Sequence, residues 1–119
     1  MIHLANSTVY ELSKNPNKWE AFIVQGLKLG QVSWLRRTNE DNGVLATGLW
    51  KHHEEEHPDG MPYGVEGSET FHVIKGEAEI ETEKGEKIVL KEGNSYSFTD
   101  GFLGTWKTKG EFIKFFIVC

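Results

Sequence analysis

The sequence predicts an all-β protein, an antiparallel sandwich or barrel, on three observations: regularly spaced glycines, alternating hydrophobicity between them, and scarce helix signals. From Thr70 onward the glycines fall at 76, 85, 93, 101, 104 and 110, with a strand-length run in most of the gaps. Short strands recurring every 8–12 residues or so need neighbours on both sides, which two packed sheets or a closed barrel supply.

The elements follow in order. "STVYELSKN" offers at most one helical turn, capped by Ser7 or Thr8 and ending before Pro16. "AFIVQGLKL" and "QVSWLRRT" are rich in β-branched and aromatic residues and read as short strands on either side of Gly30. "TNEDNG" breaks the chain ahead of "VLATGLWKH". In "EAEIETEKGEKIVL" Ala78 and Ile80 share one face while Glu77, Glu79 and Glu81 share the other, so this hairpin has one wet side. "FIKFFIV" differs: Ile113, Phe115 and Ile117 line one side, Phe112, Phe116 and Val118 the other, around the single Lys114. A strand apolar on both faces must be covered twice, by the N-terminal strands or by a partner subunit, and a homodimer is expected.

The 119 residues, 38% of them hydrophobic, fit one domain over 1–119, with N-terminal strands (1–43) packing on a core (44–118). No apolar run approaches the roughly 20 residues of a membrane span, and "MIHLANSTVYEL" lacks the basic start and apolar middle of a signal peptide, so no membrane partner and a cytoplasmic location are expected. Cys119 is the only cysteine, which excludes an internal disulfide and a cysteine metal cluster. The formal net charge of −5 argues against nucleic acid and leaves a small neutral or cationic ligand, or a metal ion, as the expected partner.

Three motifs carry a family resemblance: "GLWKH", "ETFHVIKGEAEIE" and "GNSYSFTDGFLGTW", spanning Gly48 to Trp106. Their order and spacing resemble the cupin superfamily, and within it the small single-domain cupins grouped with the (S)-ureidoglycine aminohydrolase cupin domain. Gly48, Glu69 and Gly76 match the first cupin motif, and Gly93, Thr99 and Gly101 match the glycine, proline and glycine of the second. The resemblance implies an antiparallel double-sheet jelly-roll barrel whose first-motif glutamate, here Glu69, points inward.

The resemblance also implies a metal site, but the ligand positions depart from it. Counting back from Glu69, the two histidine positions fall on Tyr63 and Val65, or on Pro62 and Gly64; counting forward from Gly48, they fall on Glu54 and Glu56. The second-motif histidine position is Gly104. A one-residue slip along 61–67 would exchange Tyr63 and Val65 for Pro62, Gly64 and Glu66 on the inner face. Imidazole and carboxylate are concentrated instead in "HHEEEH", where His53 and His57 folded back to Glu69 would make a site suited to zinc, manganese, iron or nickel. The competing reading of that stretch is a solvated acidic loop, marked by Pro58, Asp59, Gly60 and Pro62.

Glu69 has two readings as well: a desolvated general acid or base, or a buried carboxylate satisfied by Arg36, Arg37, Lys51 or a tyrosine hydroxyl. His72, an odd number of residues away, belongs on the opposite face and reads as structural. Trp34 and Phe98 are large aromatics of core or pocket, and Trp50, Tyr63, Phe71, Tyr96 and Trp106 are the candidate ligand-binding residues, a lining suited to an aromatic or heterocyclic molecule. Two functional expectations follow. One is a small-molecule-binding cupin domain with an interior pocket around Glu69 and an incomplete metal triad. The other is a metal-dependent cupin enzyme of the hydrolase, lyase, isomerase or dioxygenase kind, using His53, His57 and Glu69; a filled-barrel dimerisation module is the plainest alternative.

Overall fold

Glycine placement decides where this chain turns and where it merely bends. The structure, a computed structural model, describes residues 8–40 and 43–119. Gln25 and Gly26 both take positive φ, 50° and 82°, and close a two-residue hairpin between β1 (Glu20–Val24) and β2 (Leu27–Glu40), with Val24 facing Leu27. The turn therefore falls at Gln25–Gly26, not at Gly30. Gly30 lies inside β2, in a bulge where Leu29 and Gly30 oppose Phe22. A Cβ there would come within 2.6 Å of the Lys51 carbonyl and 2.8 Å of the Trp50 indole nitrogen, so only glycine admits this close approach.

The remaining strands are β3 (Gly43–His53), β4 (Met61–Gly64), β5 (Glu69–Glu81), β6 (Lys87–Lys91), β7 (Ser95–Phe98) and β8 (Leu103–Val118). All pairings are antiparallel, in the order β1-β2-β3-β8-β5-β6, with β4 also on β8 and β7 also on β5. β5 and β8 are long enough to serve both layers because they bend at positive-φ glycines, Gly76 and Gly110, where their mutual register shifts. The all-β architecture and its antiparallel jelly-roll layout agree with the sequence. Among the described residues the one helical element is a 3-10 turn at Glu54–Glu56; residues 8–13 form no helical turn, and Ser7 lies outside the described residues. No helix among the described residues is long and apolar enough to cross a membrane.

Alternation places the core. Ala78 and Ile80 are fully buried opposite Leu90 and Ile88, while Glu77, Glu79 and Glu81 face outward. Met61 and Val65 are buried and Pro62, Gly64 and Glu66 are exposed, which sets the register of this segment with Tyr63 inward. On β8 the even-numbered residues Phe112, Lys114 and Phe116 point inside; Ile113 and Phe115 are half-buried on the outer face and Ile117 is exposed there.

Candidate functional site

Three polar side chains meet inside this apolar barrel. Glu69 opens β5 and pairs across to Val118 of β8; four residues further along, Val73 faces Lys114. Both Glu69 and Lys114 therefore project inward. Lys114 Nζ donates to Glu69 Oε2 at 2.8 Å, and the Tyr63 hydroxyl, from β4, donates to Glu69 Oε1 at 2.6 Å. Both carboxylate oxygens are thus engaged. Glu69 is 9% and Lys114 5% exposed, so the pair sits out of water.

Aromatic rings enclose the ammonium. Lys114 Nζ lies 4.4 Å from the ring centre of Phe71, 4.8 Å from Trp106, 4.9 Å from Trp50 and 5.4 Å from Tyr63. These distances fall within the roughly 6 Å over which a ring face attracts a cation. Burial pushes the Lys114 ammonium below its usual pKa, and the Glu69 carboxylate works against that push through its charge and hydrogen bond. Tyr63 is moved upward, chiefly by burial and then by the neighbouring Glu69 charge, so it stays a neutral hydrogen-bond donor.

Of the expected ligand-binding residues, Trp50, Tyr63, Phe71 and Trp106 converge on this centre. Tyr96 stands apart: it packs on Phe71, and its hydroxyl accepts from the Lys91 amide at 2.9 Å, tying β7 to β6. Arg36, Arg37 and Lys51 do not reach Glu69; their cations lie over Tyr10, Trp34 and Trp19. The tyrosine expected beside Glu69 is Tyr63, and the cation is Lys114, which sequence reasoning passed over. The signal was its parity: Lys114 shares the inner face with Phe112 and Phe116. His72 is exposed and pairs with Ser95 Oγ at 2.8 Å, as expected for a structural residue.

His53, His57 and Glu69 are not brought together. His53 caps the 3-10 turn, its ring accepting from the Glu55 amide at 3.1 Å while Glu56 accepts from the His53 amide at 2.8 Å. Glu56 also accepts from Gln31 Nε2 at 2.8 Å; burial pushes this carboxyl up, but the His53 and Gln31 bonds outweigh it and hold the pKa below the usual value. Glu54 accepts from the Gly110 amide. The acidic loop is therefore spent on local structure. The inward histidine is instead His52, in phase with Trp50 on β3 and 1% exposed. Its Nδ1 lies 2.8 Å from Thr108 Oγ1 and its Nε2 2.8 Å from His57 Nδ1, and the Trp106 indole donates to the same threonine at 2.8 Å. Burial is the main reason His52 falls to a pKa of about 4; Glu56 opposes that shift and His57 and His53 add to it.

Among the described residues no group of three His, Cys, Asp or Glu side chains could hold a metal ion. A metal of the kind the cupin resemblance implies does not fit here: both Glu69 oxygens are taken, an ammonium stands beside them, and no histidine joins them. Open space also lies elsewhere. A surface cavity of about 920 Å³ runs between the segment 11–20 and β2 at Val32, Ser33 and Trp34, and neither Glu69 nor Lys114 lines it. A second, about 400 Å³, reaches Phe102, whose ring packs on Tyr63 and Phe98.

The antiparallel jelly roll with Glu69 pointing inward is the architecture of a cupin. The chain matches the EutQ-like cupin domain over residues 40–116, and it belongs to that family. The match does not single out the ureidoglycine aminohydrolase group. Solved structures agree on the fold. A DUF861-family protein from Thermotoga maritima is 22% identical with a TM-score of 0.55, over 61% of this chain and 78% of that one. A putative ethanolamine utilization protein Q from Salmonella typhimurium is 16% identical at 0.60, over 84% and 92%. An Fe(II) form of HppE is 12% identical at 0.68, over 96% of this chain and 61% of that one. No curated protein matched.

Proposed function

We propose that the chain is a small-molecule-binding cupin domain whose barrel centre works without a metal, the ligand meeting Tyr63, Glu69 and Lys114 among the rings of Trp50, Phe71 and Trp106. The observation that carries this is the buried trio itself. Desolvating a carboxylate and an ammonium costs more than hydrocarbon of the same volume would, so stability alone does not account for their presence. Ionisable groups shifted by burial beside a charged partner, as Lys114 and Tyr63 are, mark a candidate working site. Tyr63 is the half-buried member of the trio and packs on Phe98 and Phe102, the latter lining the cavity of about 400 Å³. With Glu69 and Lys114 neutralising each other, the centre suits a neutral aromatic or heterocyclic molecule carrying a hydrogen-bonding group. If it is also catalytic, Glu69 is the acid or base, passing a proton with Tyr63 or Lys114.

HppE is an Fe(II) protein in the structure compared above. Carrying a metal over to His53, His57 and Glu69 has no support in where those residues lie. A cytoplasmic homodimer completes the proposal, on the free exposed thiol of Cys119 and the outer apolar face of β8.

The experiment is a fragment screen read by tryptophan fluorescence in a Trp19→Phe/Trp34→Phe background, which leaves Trp50 and Trp106 as reporters. Compounds that shift this emission and lose affinity in Glu69→Gln support the proposal. A library in which no compound perturbs those two tryptophans would make the barrel a filled scaffold.

A further inference from the structure

An ammonium taken out of water needs its charge balanced on all sides. Lys114 has one carboxylate oxygen at 2.8 Å and four ring faces between 4.4 and 5.4 Å. A carboxylate floor with aromatic walls is how receptors hold alkylammonium guests. Here the guest is tethered: its stem rises from β8 between Phe112 and Phe116. The second Glu69 oxygen is held by the Tyr63 hydroxyl, so the floor is fixed in place as well as charged.

We infer that the barrel centre contains an alkylammonium subsite occupied by the chain's own Lys114, so that a side chain supplies the positive charge Glu69 would otherwise take from a metal ion, and a ligand meets that ammonium already in place. The balance of forces follows directly. A divalent ion arriving at Glu69 has to expel the ammonium from its ring faces, break the Tyr63 bond and find further ligands. The nearest imidazole that faces the interior, His52, has both nitrogens engaged by Thr108 and His57. Emptying the site by shortening Lys114 leaves a cavity shaped for the missing piece, with an unpaired carboxylate at its end.

That cavity can be titrated. Lys114→Ala removes three carbons and the nitrogen, the outline of n-propylammonium. Melting temperature is measured for native chain, Lys114→Ala and Lys114→Ala/Glu69→Gln, each with n-propylammonium, n-propanol or tetramethylammonium at equal concentration. The expected result is a rise in melting temperature for Lys114→Ala with n-propylammonium alone, and none for the native chain or the double variant. If Lys114→Ala does not fold unaided, the same three additives are supplied during refolding, and recovery is expected with n-propylammonium only. Equal response to all three additives, or rescue that persists without Glu69, overturns the inference.

Elemental analysis and zinc and manganese titration of the untagged native chain and Glu69→Gln make the second arm. Equally low uptake in both is expected. Near-stoichiometric metal lost in Glu69→Gln overturns the inference. The inference rests only on the metal-free part of the proposed function: metal uptake through Glu69 sinks both, failed rescue sinks this one alone, and a failed ligand screen leaves it standing.

Discussion

Lys114 and Glu69, 45 residues apart in the chain, form an ion pair at 2.8 Å with side chains only 6% and 11% exposed. Removing one partner strands the other. Lys114→Met or Glu69→Leu alone is expected to cost about 3–5 kcal/mol in urea unfolding, the range for breaking a buried pair. Tyr63→Phe/Glu69→Leu/Lys114→Met removes the whole trio and is expected to be close to native in stability, or above it. A triple variant as unstable as the singles would show that the trio holds the fold together.

Acid should loosen the protein through His52. The unfolded chain protonates this residue near pH 6.5, the folded chain only near 4. Between those values the unfolded state binds more protons, so stability present in full above about 6.5 declines as pH falls and the loss is complete below about 4. The shift corresponds to about 3 kcal/mol. Urea midpoints at pH 7, 5.5 and 4.5 should fall less steeply for His52→Gln than for the native chain. Parallel slopes would assign the acid sensitivity to other groups.

Gly76 and Gly85 separate two costs that usually come together. Both have positive φ, 87° and 82°, but a Cβ on Gly76 would run into the Glu111 carbonyl while one on Gly85 meets nothing within 4 Å. Gly85→Ala is expected to cost about 1–2 kcal/mol, the backbone penalty alone. Gly76→Ala should exceed it, because the carbonyl is β8 backbone, at a residue paired with His53 of β3, and cannot step aside. Thermal melts followed by circular dichroism give the comparison.

The outer face of β8 tests the dimer. Ile117, 38% exposed, lies beside Phe115 and Ile113 on that face. Light scattering at micromolar concentration is expected to give twice the chain mass of 13.5 kDa for the native protein and the single mass for Ile117→Glu. A native monomer would remove the dimer from the proposal.

Local patterns in the sequence carried the fold well. The Ala78/Ile80 alternation and the outward His72 follow from a period of two, which each strand states for itself, whereas the register of 61–67, open in the sequence, is set by the burial of Met61 and Val65. The turn at Gln25–Gly26 was hidden because Gly30, four residues on, offered a second break; its glycine is required by a neighbouring strand, and no single segment announces that. The centre was half legible. Glu69 stood out as a carboxylate in an apolar run, whereas Lys114 looked like an interruption in "FIKFFIV". Their pairing depends on β5 lying beside β8, a long-range register. In "KHH" the tempting residue was His53, but phase with Trp50 places His52 inside.

β8 bonds to β3, to β4 and to β5. During synthesis, every strand that it will join is made first and waits with a bare edge until residues 103–118 emerge. Until then β3, β4 and β5 lack the neighbour that joins them, and such bare edges invite mispairing with other chains.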